Sequence, residues 1–88
     1  MNSDIFYSRY PQLDLHGETV DIALVLVNDF INDNYKLGNT HIVIIHGRGT
    51  GKIKKAVHSF LKTNRYVKEY KQDNFNIGST IVELYKKD

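Results

Sequence analysis

Cysteine is absent from this 88-residue chain, which excludes disulfide staples, cysteine-ligated zinc or iron–sulfur sites, and thiol nucleophiles. Proline occurs once and glycine six times, too rarely for a collagenous or low-complexity chain. Long apolar runs are missing too: residues 22–27 and 42–45 fall far short of the roughly 20 residues that span a bilayer. No early lysine or arginine precedes an apolar segment, and Asp4 stands where a secretory leader would carry its basic start. The expectation is a cytoplasmic protein with no membrane partner. The length allows one hydrophobic core and leaves no room for an ATPase, a polymerase or a dinucleotide enzyme with its own substrate domain.

What is present is ordinary for a globular domain, 41% hydrophobic and 25% charged, so a largely disordered chain is excluded as well. The net charge of +2 hides an asymmetry. Residues 1–45 carry two basic against six acidic side chains, whereas residues 46–88 carry ten against four. Arg48, Lys52, Lys54, Lys55, Lys62, Arg65, Lys68 and Lys71 fall within 24 residues. Such clustering is the footprint of a phosphate-rich partner, or else a solvated lysine face.

Residues 1–12 hold Ile5, Phe6, Tyr7 and Tyr10 with neither helical nor alternating spacing, and Pro11 lies near their end. They read as an arm that packs on the domain or pairs with a sheet edge; residues 13–88 form the domain. A short strand is expected at residues 13–16, closed by Gly17. Val20, Ala23, Leu24, Val27, Phe30, Ile31 and Tyr35 then repeat at the spacing of a helix face, with Thr19 as cap and Gly38 as terminator. Residues 42–45 are β-branched without polar alternation, the mark of a strand buried on both faces. A second helix over residues 51–63 buries Ile53, Ala56, Val57, Phe60 and Leu61. A polar strand at residues 67–72 and a more apolar one at residues 79–86 complete the chain.

The order is β-α-β-α-β-β, an α/β fold in the form of an α+β two-layer sandwich with two helices on one face of a four-stranded mixed sheet. Right-handed crossovers join the parallel strands. Edge strands tolerate polar side chains and interior strands do not, so the polar third strand belongs at an edge and the fourth inside. The order 1-2-4-3, with the fourth strand antiparallel, satisfies this. Ligands of open α/β sheets gather at the carboxyl ends of the parallel strands. Here that rim joins His16 and Gly17, His46 and Gly47, and the start of the fourth strand at Gly78 and Ser79.

The loop His46-Gly47-Arg48-Gly49-Thr50-Gly51-Lys52 opens the second helix. Its glycines let backbone amides approach an anion at a helix N-terminus, or simply make a tight turn. A nucleotide P-loop would need glycine at 46 and serine or threonine at 53, where His46 and Ile53 stand; a dinucleotide fingerprint fails at Lys52. In the first strand, Asp14 and His16 should share the open face while Leu13 and Leu15 face the helices. An Asp and a His at this spacing make an acid/base pair, two metal ligands or an exposed polar face. His41 and His58 lack such company and read as surface or boundary residues.

At these positions the chain resembles the Smr (small MutS-related) domain family. Leu13-Asp14-Leu15-His16-Gly17, followed by Thr19-Val20 and Ala23-Leu24, is similar to the family's opening motif. His46-Gly47-Arg48-Gly49-Thr50-Gly51 is similar to its second, and Gly78-Ser79-Thr80-Ile81-Val82-Glu83-Leu84 to its closing strand. Arg48 stands where many relatives have lysine, and Ser79 where many have alanine. The resemblance implies the fold of the C-terminal domain of translation initiation factor three, and an endonuclease acting on DNA or RNA. Family members occur alone or fused to MutS-like ATPases, and some act in recombination control or on messenger RNA at collided ribosomes.

The expectation is an endonuclease for phosphodiester bonds, favouring RNA, with nucleic acid and in some settings the ribosome as partner. Its catalytic residues are Asp14, His16, His46 and Arg48. His16 is the acid or base, Asp14 orients or tunes it, and Arg48 with the loop amides holds the phosphate. His46 is a second acid/base group or part of the loop scaffold. Gly47, Gly49, Thr50, Gly51, Lys52, Lys54, Lys55 and Ser79 are expected to bind the polymer. A 2′-hydroxyl nucleophile would need no metal; a metal route through Asp14, His16 and His46 stays open, although one carboxylate is thin for magnesium. No cofactor is implied. The rival expectation is a nucleic-acid or ribosome binding module that does not cleave.

Overall fold

In the computed structural model, which describes residues 9–88, the helical periodicity after Gly17 becomes α1 (Val20–Leu37). Thr19 caps it, its hydroxyl accepting from the Ile22 N–H at 3.3 Å, and Asp21 lies in the first turn. Gly38 ends it in the left-handed region, φ +82°, which a side chain would strain. The buried Asn34 on this helix is satisfied locally: its amide donates to the Phe30 carbonyl and accepts from Asn39, both at 2.8 Å.

The remaining elements are β1 (Gln12–Asp14), β2 (His41–Ile45), α2 (Lys52–Lys62), β3 (Val67–Gln72) and β4 (Ser79–Leu84). They form one mixed sheet in the order β1-β2-β4-β3, with β1 and β2 parallel and β4 antiparallel to both of its neighbours. Polar β3 lies at an edge, where its outward side chains stay solvated, and β4 is buried along most of its length. One core cluster unites Leu15 of the first rim loop, Ala23, Val27 and Ile31 of α1, Val57 and Leu61 of α2, and Ile42, Ile44, Val82 and Leu84 of the inner strands. Both helices therefore cover the same face of the sheet.

Four strand ends differ from the expected ones, the smallest difference being β2, which begins at His41 and not at residue 42. β1 stops at Asp14 because the carboxylate of Asp14 accepts from the backbone N–H of His16 at 2.9 Å and turns the chain away. It begins at Gln12, which the sequence reading had placed in the arm. β4 stops at Leu84 because its central partner has ended; the Leu84 N–H reaches back to Thr40 and the Tyr85 N–H to Tyr66. Of the expected arm, residues 1–8 lie outside the described residues.

Candidate functional site

The rim is tied together by backbone hydrogen bonds between three segments distant in sequence. Leu15 N–H donates to the Ile45 carbonyl at 2.7 Å, and His46 and Gly47 both donate to the Gly78 carbonyl, at 2.9 and 3.0 Å. Gly78 packs closely here: a Cβ would sit 3.3 Å from the Gly47 carbonyl carbon and from Asn76 Oδ1 and 3.4 Å from Arg48 Cγ, so a neighbour would have to give by a few tenths of an ångström. The end of β1, the glycine loop and the start of β4 thus meet as the direction of β4 demands.

Asp14 pairs with Ile45 in register, one residue past the core-facing Ile44, so its carboxylate lies on the open face of the sheet. It holds the backbone of His16 and not the ring. The imidazole of His16 is exposed and makes no hydrogen bond among the described residues. Orientation of His16 by Asp14 therefore acts through the main chain.

His46 points the other way. It is 5% exposed and reaches beneath α2 on the helix face of the sheet, where its Nε2 lies 2.8 Å from the hydroxyl of fully buried Thr80. Its Nδ1 lies 3.1 Å from the Gly47 carbonyl, which can only accept. Nδ1 therefore carries the proton and Nε2 accepts from the Thr80 hydroxyl. With its proton so committed, the Thr80 oxygen accepts from His58 Nε2 at 2.7 Å. The two imidazoles meet edge to face, centroids 5.9 Å apart, and His58 also meets Tyr70 edge-on at 5.0 Å. Burial lowers the pKa of His46 most, with Lys54 adding to this and the Gly47 bond opposing it; burial, His46 and Lys54 lower that of His58. Both are thus held neutral. His58, read from sequence as a surface or boundary residue, is half-buried at the boundary and joins this chain of bonds.

The glycine loop faces solvent. Gly47 and Gly51 have φ of +82° and +83°, and Gly51 begins α2 with no capping side chain. The first turn holds no acidic residue, and Thr50 takes the Lys52 N–H only at 3.4 Å. A cavity of about 320 Å³ lies over the loop, lined by Gly47, Arg48, Gly49, Thr50, Gly51, Lys54, Gln72 and Ile77. Lys54 Nζ donates to Gln72 Oε1 across its floor. A second hollow of about 340 Å³ shares Gly51 and Lys54 with it and runs between α2 and β3 along Lys55, His58, Ser59, Lys62 and Tyr70. Lys52 and Lys55 are exposed, and Arg48, Gly49 and Thr50 line the open surface. Ser79, at 3% exposure, begins β4 behind the rim.

A hollow of about 240 Å³ on the open face, lined by Tyr10, His41, Glu69, Tyr70, Lys71, Ile81 and Glu83, carries two carboxylates against one lysine and shares no residue with the rim. Its charge suits a polyanion poorly. Asp14, His16 and His46 do not converge, since Asp14 and His46 occupy opposite faces; among the described residues no three His, Asp or Glu side chains form a metal-holding group. Among those residues, too, no helix is long and apolar enough to cross a membrane.

Sequence reasoning gave no site role to Gln72, Ile77, Thr80 and His58. One signal was available. Thr80 shares its strand face with Val82 and Leu84, and a hydroxyl on a core face needs a buried partner.

Residues 13–85 match the model of the Smr domain family. The chain is 46% identical over 77 residues to endonuclease MutS2 of Lachnoclostridium phytofermentans, covering 84% of this chain and 10% of that protein. It is 40% identical over 80 residues to endonuclease MutS2 of Caldanaerobacter subterraneus subsp. tengcongensis, covering 88% and 10%. It therefore spans about a tenth of the length of these curated relatives. The Smr domain of Thermus thermophilus MutS2 superposes with a TM-score of 0.83 at 28% identity, covering 85% of this chain and 98% of that one. YdaL, a stand-alone small MutS-related protein of Escherichia coli, superposes with a TM-score of 0.82 at 26% identity, covering 89% and 69%.

Proposed function

Because the chain belongs to the Smr domain family, we propose that it is an endonuclease domain acting on RNA in preference to DNA, with the rim as its active site. The observation that carries this is the bond from the Leu15 N–H to the Ile45 carbonyl, which ties the turn bearing the unengaged imidazole of His16 to the strand end where the open, cationic glycine loop begins. The N–H groups of the first turn of α2 lack a capping side chain or an acidic neighbour, and Arg48 and Lys54 stand over them. A phosphodiester held there has its developing charge met by fixed amides and a guanidinium.

His16 supplies the proton transfer. In RNA it takes the proton of the 2′-hydroxyl as that oxygen bonds to the adjacent phosphorus, and the bond from phosphorus to the 5′-oxygen breaks. The products are a 2′,3′-cyclic phosphate and a 5′-hydroxyl, the leaving oxygen taking a proton from solvent or from His16. DNA lacks this internal nucleophile, which is the reason for the preference. Asp14 fixes the backbone that carries His16. His46, Thr80 and Ser79 support the glycine loop from beneath, and of the two roles open to His46 from sequence we assign the scaffold.

One observation favours binding without cleavage: with His46 engaged on both nitrogens, His16 is the one rim imidazole left open among the described residues. The deciding experiment incubates the protein with labelled single-stranded RNA and with supercoiled DNA, each with and without chelator, beside Arg48→Ala. Cleavage is expected, with Arg48→Ala lowering turnover more than affinity, since a guanidinium pairs the transition-state oxygens more strongly than the ground-state ones. Arg48→Lys should recover part of the rate. The chelator arm reads whether a divalent cation takes part. Binding without cleavage in every arm replaces the nuclease by the binding module.

A further inference from the structure

The turn between β3 and β4 presents its most apolar side chain outward. Asp73, 5% exposed, anchors it: the carboxylate accepts from the Phe75 N–H at 2.9 Å, its carbonyl from Asn76, and its own N–H donates to Ser79 at 3.0 Å. Asn76 closes the other side, its side-chain oxygen accepting from Gly78 and its carbonyl from Ser79, each at 3.0 Å. A turn held at this many points has a set shape, yet it leaves Phe75 72% and Ile77 51% exposed. Burying such a ring would stabilise the fold by about 1.5–3 kcal/mol, and the chain forgoes that.

The surroundings say what the ring is for. Ile77 forms the wall of the cavity that also holds Arg48 and Lys54, and Arg48 Cγ lies against Gly78. Phe75 is three residues from Gly78, no more than about 11 Å along the chain. An exposed flat ring on the turn that walls a cationic cavity is complementary to one chemistry in particular, an anionic backbone with planar bases. In a duplex those bases are stacked on each other and show only their edges, whereas an unpaired base can lie on an aromatic ring.

We propose that Phe75 is a base-stacking residue, which receives an unpaired base next to the phosphate held by the glycine loop and so selects single-stranded over double-stranded nucleic acid. This rests on the nucleic-acid reading of the rim and names the substrate form. The ring is remote from the reacting bond, so its contribution is to affinity and strand selection, not to the proton transfers of His16.

The test compares wild type, Phe75→Ala, Phe75→Leu and Phe75→Trp for binding a short labelled oligoribonucleotide, single-stranded and as the duplex of the same sequence, over a range of salt. Phe75→Ala should weaken single-strand binding about 5- to 150-fold, leave duplex binding and the salt slope unchanged, and behave like Phe75→Leu, which keeps apolarity but not the flat face. Phe75→Trp should restore affinity, with its emission quenched when the single strand binds. An unchanged single-strand affinity in Phe75→Ala overturns the proposal, as does equal weakening of both strand forms. If wild type binds neither form, the nucleic-acid reading itself falls. If wild type binds and Phe75→Ala is neutral, only the stacking claim falls.

Discussion

The two strand-to-helix junctions at the rim are built from similar material and finished differently. The first runs from β1 to α1 through Asp14, His16 and Gly17; Thr19 caps its helix and Asp21 complements the dipole. The second runs from β2 to α2 through His46 and three glycines, with no capping side chain from Gly51 and no acid in the first turn. At the first junction the helix end is satisfied and the histidine is left open. At the second the histidine is satisfied, through Gly47 and Thr80, and the helix end is left open. The proposed function needs an imidazole and a helix N-terminus that the protein's own groups leave unsatisfied, and each junction leaves one of them so.

The sharpest way to break this comparison is to remove the open histidine. His16→Ala should lower cleavage of single-stranded RNA by about 10²–10⁴-fold, the usual worth of a positioned acid/base group, while stability changes by less than about 0.5 kcal/mol because the ring is exposed and makes no hydrogen bond among the described residues. A folded His16→Ala protein that cleaves normally would move the chemistry to another group.

Removing the satisfied histidine's partner should do the reverse. Thr80→Val keeps the shape of a fully buried side chain but leaves both His46 Nε2 and His58 Nε2 without their hydroxyl. The expected loss is about 1–3 kcal/mol of stability, read from the urea midpoint at constant slope. A Thr80→Val protein as stable as wild type would show that the network is not what holds the loop.

The two helix starts give a smaller contrast. Thr19→Ala should cost about 1 kcal/mol in unfolding free energy and leave nucleic-acid affinity alone. Thr50→Ala removes only a 3.4 Å contact and should change stability by a few tenths of a kcal/mol at most. Equal losses in the two variants would mean that α2 is capped as α1 is.

The gentlest test is pH. In the unfolded chain the imidazoles of His46 and His58 titrate near 6.5, and in the folded chain their pKa values are lowered by burial and by neighbouring positive charge. The unfolded state therefore binds more protons as pH falls below about 6.5. Their contribution to stability is complete above that value and is lost progressively toward the lowered folded pKa values. Urea midpoints taken from neutral to acid pH should fall in that window, and His46→Asn with His58→Gln should flatten the fall. A midpoint unchanged across the window would mean that the two imidazoles are as free to take a proton in the fold as out of it.

Much of the fold was legible because the sequence carries strong one-dimensional signals for it. The caps Thr19 and Gly38 bracket α1, Gly51 and Thr63 flank α2, and the polarity of residues 67–72 placed β3 at an edge. The meeting of Gly47 with Gly78 followed from the direction of β4. The face that His46 occupies was not legible, which left its two roles open. Residues 42–45 are apolar on both faces, so they show no period of two from which the face of the next residue can be counted. His58 was equally hidden: it sits one residue past Val57 on α2, at the border between buried and exposed faces, and only the partner across the interface decides its role.

By itself the sequence determined the elements, their order in the sheet, the location of the rim and the family signatures spread along it, because these rest on local propensity, periodicity and the rule that polar strands seek edges. The tertiary structure decided which histidine faces solvent and which is bound, that Asp14 holds a backbone and not a ring, that Ser79 lies behind the surface, and that Phe75 stands exposed on the turn that leads to Gly78. Those outcomes depend on which side chains from distant segments meet across the sheet and beneath α2, and on whether a polar atom finds a buried partner. Neither is encoded in the spacing of residues along one strand or helix.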